Sequence, residues 1–328
     1  MTGSAGYLGT SLIRELREAV PDVEVIGLDK KPQPNEVDYE FHQFDLLRDD
    51  LSAIMNKKKP DTVIHLAFQM QMSHSSSAMR RLNVEGSQRV LDGVVANRPK
   101  RLMVCSSATA FGARRQQTTP HDDLAEVNGR RSFPYSRHKH VVEGLLTDFA
   151  SEHTDCRVSW VRPTTVVGPH VDNYIGRFIK GMPVFPLLSF RDVPFQYVHE
   201  SDVSRAFVHL LMKDATGPVN LAPSDTLTLR ELGAMMGRPC VRIPMSMAYA
   251  ATWLGWHARV PGLEFPPGFL WFSRYPWTVV SRRLVEEYDF RLKFTSREAI
   301  HDMLMHGGTI RSGLRLVDYP RDTEGHAP

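Results

Sequence analysis

The chain has 328 residues, of which 42% are hydrophobic and 23% charged, and its net charge is +3 at neutral pH. This composition is that of a globular protein large enough to bury a sizeable core, while the interspersed charges argue against nucleic-acid binding and the apolar runs are too short for a membrane partner. Three widely spaced cysteines form neither a disulfide framework nor a metal-ligand spacing, so we expect no metal and a reducing, cytoplasmic location.

The first recognisable element is a glycine-rich turn, Thr2–Gly9 (T-G-S-A-G-Y-L-G). Gly3 and Gly6 are three residues apart, which lets the backbone approach a pyrophosphate at the N-terminus of the following helix. A buried parallel strand should precede such a turn, and only Met1 stands there. We therefore expect the first strand to be truncated and the natural chain to begin upstream.

An acidic residue follows the turn at the distance expected for binding an adenosine ribose. The amphipathic stretch Leu12–Val20 predicts a helix, and the apolar run Val23–Leu28 predicts a strand that ends at Asp29. A carboxylate at this place hydrogen-bonds the ribose hydroxyls and repels a 2′-phosphate, which favours NAD. Lys30 and Lys31 could pair with such a phosphate, so NADP stays possible.

Further along the chain, short apolar runs alternate with helical patterns. Strands are predicted over Tyr39–Phe44, Thr62–Ala67, Leu102–Cys105, Val158–Val161 and Val219–Leu221, and helices over Met79–Val95 and Tyr135–Ser151. This alternation predicts an α/β fold, a Rossmann-like doubly wound parallel sheet with helices on both faces. Ligands of such sheets bind at the carboxyl ends of the strands.

Tyr135 and Lys139 are four residues apart in a predicted helix and therefore share one face. A free tyrosine titrates at about pH 10, and an ammonium one turn away is expected to lower that pKa and to hold the nicotinamide ribose. Ser107, at the end of a strand, can donate a hydrogen bond to a substrate oxygen. The three residues predict an alcohol or ketone held between Ser107 and Tyr135, with Tyr135 as general acid or base.

With these motifs assembled, the chain resembles the extended short-chain dehydrogenase/reductase family, also called the NAD-dependent epimerase/dehydratase family. The matching segments are Thr2–Gly9, Asp45–Leu46, His65–Ala67, Asn83–Gly86, Cys105–Gly112, Tyr135–Lys139, Arg162–Pro169 and Phe195–Ala206. The resemblance implies cofactor contacts from Gly3, Gly6, Tyr7, Leu8, Asp29, Asp45, Leu46, Leu66, Ala67, Asn83, Cys105, Tyr135, Lys139 and Pro163. It also implies a homodimer formed through two long helices, one of which carries Tyr135.

Departures from the family pattern bear on the substrate. Ala108–Thr109 stand where 4,6-dehydratases carry an Asp-Glu pair, so sugar dehydration lacks its acid and base. Thr165 replaces an expected Asn, and Val193–Pro194 replace an Arg-Asp pair, at positions that help nucleotide-sugar enzymes hold the diphosphate. The triplet Ser107-Ala108-Thr109 nevertheless resembles the hexose-epimerase form of this strand end.

Three functions are weighed on this basis. The first is an NAD(P)-dependent dehydrogenase or ketoreductase acting on a small, apolar alcohol or ketone. The alternative is a nucleotide-sugar epimerase. A non-catalytic NAD(P)-sensing protein is disfavoured because Tyr135 and Lys139 are both present.

A smaller substrate-binding lobe is expected from the remaining segments. Residues 1–170 are assigned to the NAD(P)-binding domain, to which 194–225 return, and residues 171–193 and 226–328 to the lobe. The lobe is rich in large apolar residues, which form either a pocket for an apolar ligand or the core and subunit contact of the lobe itself. Substrate contacts are expected from Gln69, Gln71, Thr109 and Thr165.

Overall fold

The computed structural model describes residues 1–32, 38–115 and 120–306. The strands are β1 (Ile26–Asp29), β2 (Glu40–Gln43), β3 (Thr62–His65), β4 (Arg101–Cys105), β5 (Arg157–Pro163), β6 (Thr165–Val167), β7 (Phe185–Leu187), β8 (Pro194–Phe195), β9 (Tyr197–His199), β10 (Gly217–Leu221), β11 (Leu227–Thr228) and β12 (Cys240–Arg242). The helices are α1 (Tyr7–Ala19), α2 (Leu51–Lys58), α3 (Ser76–Arg80), α4 (Gly86–Asn97), α5 (Pro134–Glu152), α6 (Tyr174–Gly181), α7 (Glu200–Met212), α8 (Leu229–Met235), α9 (Met245–His257) and α10 (Ser296–His306).

The central sheet has the order β2-β1, then residues 1–2, then β3-β4-β5-β10, and its strand pairs are parallel. Residues 1–2 lie between β1 and β3, where Thr2 bridges Leu28 on one side and His65 on the other. The Thr2 amide donates to the Ile64 carbonyl at 2.9 Å, and the Leu66 amide donates to the Thr2 carbonyl at 3.0 Å. The glycine turn therefore begins at the centre of the sheet, next to the carboxyl ends of β1 and β3.

Helices cover both faces of this sheet. The apolar cluster on one face contains Leu12 of α1 and Phe207 of α7, and the cluster on the other face contains Met55 of α2, Leu91 of α4 and Leu146 of α5. The strands β3, β4 and β5 contribute buried residues to both clusters, as expected for parallel strands that are covered on both faces. The predicted Rossmann-like α/β fold is confirmed.

A third apolar cluster lies beyond the carboxyl ends of the strands. It joins Phe185 and Leu232 of the predicted lobe to Phe111 and Phe133, which come from the first 170 residues. The proposed division into a cofactor domain and a substrate lobe remains a prediction, and residues 307–328 of the assigned lobe lie outside the described residues. Among the described residues, no helix combines the length and apolar character needed to cross a membrane.

The helix predicted over Met79–Val95 differs from a regular helix. Its path consists of α3, a π-helical turn over Arg81–Glu85, and α4. The wide turn carries Asn83, which is fully buried and exchanges hydrogen bonds with the backbone of Gln69 (2.7 Å and 3.0 Å). A π-turn of this kind is frequent next to functional sites, and here it fixes the loop that follows β3.

Candidate active site

A cleft of about 590 Å³ runs along the carboxyl ends of the strands, from Asp29 at the end of β1 to the apolar cluster of the lobe. This volume lies within the range of small-molecule and cofactor sites. The cleft begins at the glycine turn and passes the ends of β3, β4 and β5. The two strands on either side of residues 1–2, β1 and β3, therefore both contribute to it.

The glycine turn has the shape that a pyrophosphate requires. Gly3 has φ +75°, and a Cβ there would lie 2.7 Å from the Ala67 amide nitrogen, so only glycine fits between the turn and the end of β3. Gly6 precedes α1 in an extended conformation and no side chain caps the helix. The first amide groups of α1 are thus available to an anion at the cleft, and the residues present fit a dinucleotide.

Asp29 is held beside this turn by two backbone amides. Its Oδ2 atom accepts a hydrogen bond from Ala5 N and its Oδ1 atom accepts one from Lys31 N, both at 2.9 Å. Lys30 is directed to Asp45, with Nζ 3.0 Å from Oδ2 of that carboxylate. The Lys30 ammonium, which could pair with the 2′-phosphate of NADP, is therefore partly neutralised by Asp45. This pairing supports the preference for NAD.

Ser107, Tyr135 and Lys139 converge on the cleft from β4 and α5. Ser107 is the residue before a 3₁₀ turn, Ala108–Phe111, and its Oγ lies 3.0 Å from Oγ1 of Thr109. Tyr135 lies in the first turn of α5 and lines the cleft together with Ser107. Lys139, which is 2% exposed, donates to the Cys105 carbonyl at 2.6 Å.

The pKa shifts at this site differ from the sequence expectation. Burial raises the pKa of Tyr135, repulsion from Cys105 once its thiol ionises raises it further, and interaction with the Ser107 hydroxyl lowers it. Burial lowers the pKa of Lys139 to about 8, while attraction to Cys105 and Glu143 raises it. The net shift of Tyr135 is upward, opposite to the expected one, because the loss of hydration outweighs the favourable contacts.

A buried ion pair lies behind the convergent residues. Glu143 follows Lys139 by one turn of α5 and accepts bonds from Arg162 of β5, with Nε 3.0 Å from both of its carboxylate oxygens. The same carboxylate accepts from Ser106 Oγ and, at 3.1 Å, from Trp160 Nε1. Glu143 thus ties α5 to the ends of β4 and β5, which fixes Lys139 relative to the strand that carries Ser107.

Most of the residues predicted from the sequence line the cleft. They are Gly3, Gly6, Tyr7, Leu8, Asp29, Asp45, Leu46, Leu66, Ala67, Cys105, Ser107, Tyr135, Lys139 and Pro163 for the cofactor and the chemistry, and Gln69, Thr109 and Thr165 for the substrate. Asn83 is absent from the cleft lining and holds the Gln69 backbone instead, so its predicted cofactor contact stays a prediction, and it would act on a bound cofactor through that loop. Gln71 faces a separate surface depression with His74 and Arg259, because the chain turns away after Met70.

Three aromatic and acidic residues were not singled out from the sequence. Phe68 lies under Lys139, with Nζ 3.5 Å from the ring centroid, and packs edge-on against Tyr135. Tyr174, at the start of α6, is 3% exposed and lines the cleft. Glu200 accepts a hydrogen bond from the Tyr7 hydroxyl and pairs with His170 at 2.5 Å. The sequence offered two signals for them: Phe68 directly follows the predicted strand Thr62–Ala67, and Glu200 lies within the family-matching segment Phe195–Ala206.

The far end of the cleft is apolar. The side chains there are Phe133, Tyr174, Ile175, Phe178, Phe195, Leu229, Phe269, Phe272 and Trp277. Among the described residues, the basic side chains that line the cleft are Lys30, Lys31 and Lys139, of which the first two adjoin Asp29. Among the side chains that line the cleft, a diphosphate at the far end would therefore meet no guanidinium or ammonium group other than that of Lys139.

Comparisons with known proteins agree with this arrangement. Residues 1–222 match the family model described as "NAD dependent epimerase/dehydratase family". An uncharacterized protein of Mycobacterium tuberculosis (strain ATCC 25618 / H37Rv) is 24% identical over 257 residues, which cover 74% of this chain and 67% of the relative. The UDP-glucose 4-epimerase of Yersinia enterocolitica is 29% identical over 203 residues, which cover 56% of this chain and 57% of the relative.

Solved structures share the fold over nearly the whole chain. UDP-glucose-4-epimerase from Stenotrophomonas maltophila, with bound NAD and formylated UDP-arabinopyranose, has a TM-score of 0.71 at 20% identity and covers 93% of this chain and 96% of its own. The UDP-glucose 4-epimerase of Thermus thermophilus, in complex with NAD, has a TM-score of 0.70 at 18% identity, with coverage of 94% and 98%.

Proposed function

Since this chain belongs to the NAD-dependent epimerase/dehydratase family and is an enzyme with NAD as its cofactor, we propose that it moves a hydride between NAD and a hydroxyl-bearing carbon of its substrate. The observation that carries the proposal is the convergence of Ser107, Tyr135 and Lys139 on one stretch of the dinucleotide cleft. A proton donor, a hydrogen-bond donor and a cation around one position provide what hydride transfer at an alcohol or ketone needs.

Each of these side chains has a separate part in the proposal. When bound, NAD supplies the acceptance and return of the hydride. Ser107 orients the substrate oxygen, and the Tyr135 hydroxyl gives or takes the proton of that oxygen. The Lys139 ammonium stabilises negative charge that develops on the phenol and holds the cofactor ribose. Phe68, whose ring lies under Lys139, helps to exclude water from the ammonium.

Two net reactions are compatible with this chemistry. The apolar far end of the cleft, with Lys139 as its nearest basic group, supports a dehydrogenase or ketoreductase acting on an apolar alcohol or ketone. The comparisons support the second candidate, a nucleotide-sugar epimerase, better than this first one, because the named relatives are UDP-glucose 4-epimerases. An epimerase oxidises and re-reduces one carbon within a single binding event.

The decisive experiment accounts for the cofactor. The purified enzyme is assayed with UDP-glucose and UDP-galactose, and separately with a panel of apolar secondary alcohols and ketones, with and without added NAD or NADH. An epimerase converts one nucleotide sugar into the other with its retained cofactor alone. A dehydrogenase consumes added cofactor in a one-to-one ratio with substrate. Failure of both assays to detect any NAD-linked conversion across the panels, in a protein that binds NAD, contradicts the proposal.

A further inference from the structure

An apolar surface surrounds helix α9, whose Trp256 ring stacks on His74 of the loop that follows β3. We define it as helix α9 together with Phe190, Val241 and Val260, and call it the α9 surface. Its large apolar side chains are exposed by 88% at Phe190, 63% at Met247, 61% at Leu254, 49% at Val241 and Val260, and 45% at Trp253. Arg242 Nη2 donates to the Phe190 carbonyl at 3.3 Å. This hydrogen bond links the segment that carries Phe190 to the segment that carries Val241 and leads into α9.

Helix α9 is unusual because it is apolar around its whole circumference and has no fully buried residue. It contains no acidic, lysine or arginine residue between Met245 and His257. A helix that is apolar all round is normally enclosed by protein or by lipid. With 13 residues it is about 20 Å long, too short to cross a bilayer.

The charged residues around this surface are predominantly basic. No acidic residue occurs between Glu231 and Glu264, whereas that segment contains Arg238, Arg242 and Arg259. Glu264 is paired with Arg177, and Glu231 lies 3.6 Å from Arg297. Among the described residues, Arg242 and Arg259 have no acidic partner; Arg242 lies shortly before Met245, the first residue of α9, and Arg259 shortly after His257, its last.

We propose that the α9 surface binds the face of an anionic lipid bilayer. The helix would lie in the membrane plane, with Met247, Trp253 and Leu254 in the acyl-headgroup boundary and the two arginines at its ends on lipid phosphates. Tryptophan is favoured at this depth because its ring is amphipathic. This proposal departs from the sequence analysis, which expected no membrane partner because no apolar run is long enough to span a bilayer; a helix lying in the membrane plane needs no such run.

The surface also adjoins the cleft. The Tyr249 ring of α9 packs on Trp271, at 6.4 Å between centroids, in the 3₁₀ segment Pro267–Ser273. Phe269 and Phe272 of that segment line the apolar end of the cleft. An apolar substrate dissolved in the bilayer would thus enter beside α9; this consequence, unlike the binding itself, rests on the proposed function.

Vesicle flotation tests the proposal without any assay of turnover. Full-length protein is mixed with vesicles of phosphatidylcholine containing phosphatidylglycerol, and with vesicles of phosphatidylcholine alone. We expect binding to the anionic vesicles that weakens as salt is raised, since each arginine near the surface contributes electrostatically. Arg242→Gln and Arg259→Gln should each reduce the partition coefficient about fivefold.

A matched pair of variants controls for general loss of apolar surface. Met247 on α9 and Met212 at the end of α7 are both 63% exposed. Met247→Ser should reduce vesicle binding severalfold and Met212→Ser should leave it unchanged. Equal effects of the two variants, or no binding of the wild type to anionic vesicles, overturn the proposal. Self-association of the wild type that Met247→Ser abolishes also overturns it, because a second copy would then cover the surface.

Discussion

At the scale of single residues, Tyr135 carries the most specific prediction. Replacing it with phenylalanine removes the hydroxyl from the cleft that Tyr135 shares with Ser107, while keeping the ring that packs against Phe68. We expect kcat to fall by about 10²–10⁴, the usual contribution of a positioned general acid or base, with little change in NAD affinity. Steady-state kinetics and calorimetric titration with NAD measure the two effects. A variant with wild-type kcat would show that another group moves the proton.

Lys139 illustrates how a functional residue can reduce stability. Its pKa is about 8 in the folded protein and about 10.4 when unfolded, so the unfolded state binds more protons between these values. Stability should therefore rise as the pH increases from about 8 to 10, and the buried ammonium is costly at pH 7. We expect Lys139→Met to raise the free energy of unfolding at pH 7 by roughly 1–3 kcal/mol while abolishing activity.

Urea unfolding of wild type and Lys139→Met across this pH range measures both effects. The difference between the two proteins should shrink towards pH 10, because the wild-type amine is then neutral in the folded state. A variant that is less stable than the wild type at pH 7 would mean that the hydrogen bond to Cys105 and the Phe68 contact more than offset the loss of hydration.

At the scale of elements, the connection between α5 and the sheet depends on one carboxylate. Glu143 is 2% exposed and is the acidic partner of Arg162. Glu143→Gln leaves the Arg162 guanidinium buried without a counter-charge, which should cost about 3–5 kcal/mol of stability. The same change removes an attraction that raises the Lys139 pKa, so that pKa should fall below about 8.

Thermal or urea denaturation of Glu143→Gln measures the stability change. Glu152, exposed at the end of the same helix, supplies the control. Glu152→Gln should stay within about 0.5 kcal/mol of the wild type, as surface substitutions do. Similar losses from both variants would indicate that α5 responds to charge in general and not to the ion pair with β5.

The sequence could predict those parts of the site that depend on neighbouring residues, but not the contacts between distant segments. The glycine turn, Asp29 and the Tyr135–Lys139 spacing are local patterns, and each is read directly from neighbouring residues. The contacts of Phe68 with Lys139 and of Glu200 with Tyr7 join segments far apart in the chain, and no local periodicity encodes them. The π-turn at Asn83 is set by the loop it holds, so a helical period predicted the path but not its irregularity.

At the scale of the whole molecule, the predicted homodimer has a testable location. The resemblance places the contact on two long helices, and α4 and α5 each expose a valine: Val95 is 46% and Val141 is 37% exposed. Apolar side chains on adjacent exposed helix faces suit the centre of a two-fold interface. A glutamate at both positions would put like charges face to face across that axis, which costs several kcal/mol.

We therefore expect the double variant Val95→Glu/Val141→Glu to sediment as a monomer at concentrations where the wild type is a dimer. Met212→Glu, which places a charge on an exposed apolar position of α7, should leave the association state unchanged. The active-site helix α5 is itself part of the predicted contact, so loss of the dimer should also reduce the stability of the fold around Tyr135. A wild type that is monomeric at all concentrations contradicts the interface, and a double variant that still dimerises moves it to another surface.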